Sequence, residues 1–289
     1  MITTALVSGL GLGSMYALLA LGFHLTYAVS RTVNFAQGSA MMVGAVLGYS
    51  LAVTWGWPLW LALPTTLVLC AVLGLAIERF LVRPFHARGS DAWLMATVAG
   101  GLLLDNLAMF TFGKEPRQFG SALASLRLDL GDSSLNAVQL AIPLAGAGVA
   151  ATLFWVRRRT QLGLRLEACV QNPRAARLMG IEVNRVVAAA FALSTVFAAL
   201  AGLLIAPLYS VHADMGTLFG LKAFAVAILG GIASAGGVFA AGLLFGLVEA
   251  LVTLYFGSAF TQLLCFALVI VVLAARPDGL FGRKLWVKV

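Results

Sequence analysis

Charge is what this sequence has least of. Lys and Arg contribute 19 residues and Asp and Glu 11 in a chain of 289, whereas a soluble protein of this length carries about 72 charged side chains. A composition that is 61% hydrophobic cannot be hidden inside a water-soluble core, so a soluble enzyme or binding domain is excluded. Cysteine and histidine are scarce as well. Cys70, Cys169 and Cys265 are too scattered to read as a disulfide framework, and the spacing of His24, His86 and His212 builds no metal site. No Gly-x-x-x-x-Gly-Lys-Ser/Thr phosphate loop occurs, there is no serine-nucleophile motif, and the few acids do not cluster. ATP chemistry and intramembrane catalysis are therefore both left without residues.

What is present is apolar sequence in long runs, at about 5–29, 36–54, 59–77, 93–112, 137–156, 186–208, 218–232, 238–256 and 260–275. A crossing takes about 20 apolar residues. The fold class is an all-α, polytopic integral membrane helix bundle of eight to nine transmembrane segments, with eight to ten the range that hydropathy allows. The runs at 36–54 and 218–232 are short or glycine-interrupted and read as broken or re-entrant helices sheltered by protein. Residues 1–289 form one transmembrane domain, because the loops are too short for a soluble catalytic domain. The stretch from Met1 to Leu25 lacks a basic leader and a cleavage site, and reads as a retained first helix. Gly9-x-x-x-Gly13, Gly44-x-x-x-Gly48 and Gly242-x-x-x-Gly246 fit close helix approach, a spacing common to many membrane proteins.

The basic residues fall in alternate loops. Arg79, Arg83 and Arg88, seven arginines between Arg157 and Arg185, and Arg276, Arg283, Lys284 and Lys288 share one side. The opposite side holds Lys114, Arg117 and Arg127, balanced by Glu115, Asp129 and Asp132. Positive residues stay on the cytoplasmic side, which puts segment 157–185 and the C-terminus in the cytoplasm and accounts for the net charge of +8 without nucleic acid. The segment is too polar for lipid and too poor in Gly and Ser for a flexible linker. Residues 164–171 are helix-compatible, Asn172 is a good N-cap, Pro173 suits the first helical position and Gly180 the C′ position. Leu166, Cys169, Val170, Leu178, Met179 and Ile181 stand beside Arg165, Glu167, Arg174 and Arg177. Such a mixed face fits docking in a partner's groove, although on spacing alone lying on anionic lipid is the simpler reading.

At this point a family resemblance emerges. Gly13-Ser14-Met15-Tyr16-Ala17-Leu18, Asn34-Phe35-Ala36-Gln37-Gly38, Glu78-Arg79 with Arg83-Pro84, Gly220-Leu221-Lys222-Ala223-Phe224, Leu229-Gly230-Gly231 and Arg276-Pro277-Asp278-Gly279-Leu280-Phe281-Gly282 follow one another in order. With them the chain resembles the LivH-type permease subunits of branched-chain amino acid ABC transporters nearly end to end. Gly163 to Ile181 is similar to the segment that such importers dock onto their ATPases, with Glu167-Ala168 at its Glu-Ala signature. Gln37 stands where these sequences often have His, and Cys169 where the signature usually continues with Ala. Urea and short-chain amide permeases of the same superfamily share most of the pattern and are the alternative reading.

The resemblance implies an ATP-driven importer moving branched-chain amino acids inward across a bacterial-type plasma (inner) membrane. It implies a second permease, homologous or identical, two cytoplasmic ABC ATPases using ATP and Mg, and an extracytoplasmic solute-binding protein. No cofactor is expected on this chain. Arg165, Glu167, Ala168, Asn172, Pro173 and Gly180 are the expected ATPase-coupling residues.

Ionisable groups at membrane depth are costly and start as functional candidates. Lys222 can anchor at an interface or line a path. Glu249, about eleven residues into its run, needs a partner or a proton, and Lys222 is the candidate partner. Asp105, beside Asn106, and Asn34 and Gln37, beside Gly38, are further candidates for the transport pathway, although hydrogen bonding between helices accounts for such residues more cheaply. An ion-coupled secondary transporter would use Glu249 or Asp105 as its ion site, but gives segment 157–185 no role.

Overall fold

The computed structural model describes residues 2–86, 88–119, 127–130 and 133–282. Asp132 and the basic C-terminal residues Arg283, Lys284 and Lys288 lie outside the described residues, as do the side chains of Arg127, Asp129 and Arg157. Helices dominate: α1 (Ile2–Ser30), α2 (Gln37–Tyr49), α3 (Leu59–Ala76), α4 (Arg83–His86), α5 (Trp93–Thr111), α6 (Ala137–Arg159), α7 (Gln161–Gln171), α8 (Pro173–Leu178), α9 (Val183–Ile205), α10 (Met215–Leu229), α11 (Ala235–Phe256) and α12 (Ser258–Ala275). A π-helical turn, Ser50–Thr54, extends α2, and another, Ile77–Val82, joins α3 to α4.

One addition to the all-α expectation is a small antiparallel hairpin of β1 (Arg127–Leu130) and β2 (Ser133–Asn136), with Arg127 opposite Asn136. Strands of four residues carry too little alternation to stand out in a sequence. The helices over the sixth, seventh and eighth apolar runs also begin three residues early, at Val183, Met215 and Ala235. Hydropathy marks the apolar stretch, whereas the hydrogen-bond ladder begins in the residues before it. At α11 the start is set by Ser234, whose hydroxyl accepts from the Gly237 amide at 3.2 Å.

Among the described residues, six helices are long and apolar enough to cross a membrane: Ile2–Ser30, Leu59–His86, Trp93–Thr111, Val183–Ile205, Ala235–Phe256 and Ser258–Ala275. Ala141–Val156 and Met215–Leu229 are shorter apolar helices. Burial sorts these elements into an inner and an outer set, since 72% of the most apolar stretch of α1 is inside the protein against 17% in α5 and α12. The axis is α1, packed along α11, α9, α6 and α10. The outer helices α3, α5 and α12 turn residues such as Val68, Phe110 and Ile270 outward, as suits an apolar solvent.

Glycine makes the central contact. Gly9 and Gly13 of α1 face Gly242 and Gly246 of α11: a Cβ on Gly13 would lie 2.9 Å from Leu243 Cα, and one on Gly246 would strike the Gly13 backbone. Two spacings that look generic in sequence are thus the two halves of one interface. Gly44 likewise lets α2 reach Ala199 of α9.

Between α1 and α2 the chain doubles back inside the protein. Arg31 adopts φ +57°, Thr32, Asn34 and Ala36 are buried in non-helical backbone, and α2 begins at Gln37, whose side chain lies against Gly22. Gly22 is eight residues short of the end of α1, or about 12 Å along its axis. The start of α2 is therefore an interior helix terminus, reached by irregular backbone that protein alone shelters.

Candidate substrate path and coupling segment

Asn34 and Gln37 fix that interior terminus. Asn34 Oδ1 accepts from the Ala36 amide at 3.1 Å and its carbonyl from the Gln37 amide at 3.1 Å, replacing the helical bonds that residues 32–36 lack. Gln37 Nε2 donates to the Ser194 carbonyl at 2.9 Å, and Ser194 Oγ lies 2.9 Å from both Gln37 Oε1 and the Gly22 carbonyl. One amide side chain thereby ties α1, α2 and α9 together. Asn34 Nδ2 is buried with no hydrogen-bond partner among the described residues.

Lys222 of α10 and Glu249 of α11 are both buried, and Nζ lies 2.6 Å from Oε1. Desolvating two charges costs several kcal/mol per ion, roughly offset only where the geometry is close and further hydrogen bonds are made. Tyr16 of α1 closes the site. Its ring packs edge-on against Phe245, with centroids 5.5 Å apart, and Lys222 Nζ lies 5.9 Å from its centroid. The Tyr16 hydroxyl faces the Glu249 carboxylate, and neither it nor Glu249 Oε2 has a further hydrogen-bond partner among the described residues. Neither Tyr16 nor Ser194 stands out in the sequence, because a hydroxyl on an apolar helix reads as an ordinary core residue until its partner is known.

Asp105 is set differently. It lies on α5, half-buried, where Thr217 Oγ1 of α10 donates to Oδ2 at 3.2 Å and the Ser39 hydroxyl of α2 also bears on the carboxylate. A cavity of about 150 Å³ opens beside it between α2, α5 and α10. Neighbouring Asn106 turns back on its own helix, donating to the Leu102 carbonyl at 2.7 Å. The structure thus places the five pathway candidates in three separate locations. Asn34 and Gln37 share the interior turn, Lys222 and Glu249 form the ion pair, and Asp105 faces the cavity.

Segment 157–185 folds as two short helices. Thr160 caps α7, accepting from the Gly163 amide at 3.2 Å. Asn172 Oδ1 caps α8 by accepting from the Arg174 and Ala175 amides at 3.0 and 3.1 Å, Pro173 takes the first position, and Gly180 follows with φ +79°. Cys169 lies on the buried face of α7, and burial pushes its thiol up against the opposing pull of Arg177. Arg165 is exposed and Ala168 half-buried, while Glu167 lines a cavity shared with Ala233, Ser234 and Ala235 at the start of α11. At the tip, Leu178 and Met179 are 90% and 82% exposed, more than any packing within this chain explains.

Comparison with known proteins gives this geometry its context. The family model described as branched-chain amino acid transport system / permease component matches residues 5–273. The chain is 31% identical to the high-affinity branched-chain amino acid transport system permease protein BraD of Pseudomonas aeruginosa, over 96% of this chain and 95% of that one. It is 31% identical to the corresponding permease LivH of Escherichia coli K12, over 96% and 94%. A probable LivH permease of Methanocaldococcus jannaschii is 28% identical over 93% and 89%. No solved structure gives a significant match. A match over nearly the whole length, by a family model and by full-length relatives alike, means that the chain belongs to the family of branched-chain amino acid transport system permeases.

Proposed function

We propose that this chain is the membrane-spanning permease subunit of an ATP-driven importer that moves branched-chain amino acids inward across a bacterial inner membrane. It is a transport subunit, with ATP and Mg used by partner ATPases. The partners in this reading are a second permease, two ATPases and a solute-binding protein outside. In this reading the chain crosses the membrane eight or nine times, and the arginines that crowd segment 157–185 and the C-terminus support a cytoplasmic position for both.

The observation that carries this reading is the capped helix pair α7–α8, which holds an exposed apolar tip, Leu178 and Met179, beside Arg174 and Arg177. An exposed tip of this kind on a rigid support suits a partner's groove better than water. Motion has a route inward from there. The cavity beside Glu167 reaches the turn before α11, and α11 is locked glycine to glycine on α1, so a shift of α7 biases the packing of the central helices. ATP binding and hydrolysis in the partners then select between two packed arrangements of the permease. A secondary transporter would use Glu249 as an ion site, but the close contact with Lys222 accounts for Glu249 without an ion.

The test is an affinity purification from gently solubilised membranes, with tagged chain carrying or lacking residues 167–180. ATPases that copurify only with the intact segment support coupling. A chain that retains its ATPases and its leucine uptake without the segment overturns it.

A further inference from the structure

We infer that the cavity beside Asp105 is a binding site for a zwitterionic α-amino acid in transit, with Asp105 holding the ammonium group. The inference rests on the importer reading above and names the chemistry of one station on its path.

Among the described residues, candidate membrane spans contain three carboxylates, Glu78, Asp105 and Glu249. Glu78 and Glu249 are buried, whereas Asp105 is the one with part of its surface outside the protein. A carboxylate turned toward lipid would be expensive. The face formed by α5 and α10 is therefore better suited to a path or a partner than to acyl chains. The cavity walls divide by chemistry. Phe23, Phe35, Val98, Leu102, Leu221 and Phe224 are its apolar lining, and Ser39 and Thr217, whose hydroxyls bear on Asp105, are its polar lining with that carboxylate. An apolar cavity of about 150 Å³ is enough for a molecule the size of benzene, and this one has that volume, which suits a branched aliphatic side chain.

A counterpart for the solute's carboxylate lies in the same wall. The first turns of α2 and α10 meet there so closely that a Cβ on Gly216 would lie 2.5 Å from the Gly38 carbonyl oxygen. Neither helix has a capping side chain, and the amides of Gly38, Ser39, Gly216 and Thr217 have no hydrogen-bond partner among the described residues. Uncommitted amides at helix starts favour an anion. Ammonium, carboxylate and branched side chain thus each meet a matching part of one small cavity, whereas an uncharged amide would leave Asp105 without a cation.

The experiment uses the complete transporter in proteoliposomes with its binding protein, at matched amounts of assembled complex. Leucine uptake is measured against concentration, with 4-methyl-2-hydroxypentanoate, which has a hydroxyl in place of the ammonium, as competitor. Asp105→Asn should lower leucine uptake at least about tenfold, the scale of one lost charged contact, and erase the preference for leucine over the hydroxy acid. Asp105→Glu should restore part of both. Thr217→Val, at an exposed position, should weaken uptake by about threefold through loss of one neutral hydrogen bond to the carboxylate, and carries the test if Asp105→Asn fails to assemble. Wild-type leucine uptake with both variants unchanged, or equal losses for leucine and its hydroxy analogue, overturns the site and leaves the importer standing. A wild-type transporter that moves urea and not leucine overturns the amino-acid reading and the site with it.

Discussion

Two carboxylates in the membrane region are treated in opposite ways. Glu249 is sealed between α10 and α11 with Lys222 Nζ at 2.6 Å and the Tyr16 ring beside it. Asp105 has the hydroxyls of Thr217, at 3.2 Å, and Ser39 beside it, no cation among the described residues, and an open cavity. The same chemical group is thus committed to the protein's own helices in one place and left available in the other. Hydropathy cannot separate the two cases, since both are single acids within an apolar run. What separates them is whether the fold supplies a cation.

The largest effect should come from stranding the sealed charge. Glu249→Ala leaves Lys222 buried without its partner and should cost about 3–5 kcal/mol, the usual penalty for breaking a buried pair from one side. It should appear as a steep fall in the yield and melting temperature of detergent-solubilised protein. Replacing both partners by methionine should recover most of that loss, because a buried pair is often no better than a packed apolar one. A double variant as unstable as the single one would show that the pair does more than join α10 to α11.

The next effect tests the axis on which that pair depends. Gly246→Ala forces a methyl into the Gly13 backbone and should cost about 1–3 kcal/mol by overpacking. Gly148→Ala on α6 has nothing within 4 Å of the added carbon and serves as the control. Equal thermal shifts in the two variants would mean that the glycine contact between α1 and α11 is not tight.

These cases also show how far the sequence could be read. Apolar runs located the long helices, since a span needs uninterrupted hydrophobicity, and the caps at Asn172, Pro173 and Gly180 were legible because capping is local chemistry. The pairing of Lys222 with Glu249 was open to expectation because a buried charge demands a partner. The interior start of α2 was only hinted at by short, glycine-rich sequence, since its depth is set by contact with Gly22 and Ser194, far away in the chain. Thr217 and Ser39 carried no signal at all. A hydroxyl gains meaning only from what stands opposite, and α5, α2 and α10 come together through packing that no local pattern announces.

A smaller effect belongs to the coupling segment. Asn172→Ala removes the acceptor for the Arg174 and Ala175 amides and should cost about 1 kcal/mol, confined to α8. Faster hydrogen exchange over residues 173–180, together with weaker copurification of ATPases, is the expected result. Asn172→Ser should keep both near wild type, since serine caps as well. Weakened copurification without faster exchange would point to direct contact by Asn172, not to support of the exposed tip.

The smallest stability effect, and the one that sharpens the contrast most, is expected at Asp105. Asp105→Asn keeps the shape and an acceptor for Thr217 while removing a charge that no basic side chain among the described residues balances, so stability should stay within about 0.5 kcal/mol of wild type. Glu249→Gln, the same chemical change at the sealed position, strands Lys222 and should be far more costly. Melting curves of the two amide variants, measured side by side in one detergent, check this directly. If Asp105→Asn unfolds as readily as Glu249→Gln, Asp105 is committed to the fold just as Glu249 is, and the open cavity loses its claim to a solute. If it melts with the wild type, any transport defect in that variant belongs to the cavity and not to the scaffold.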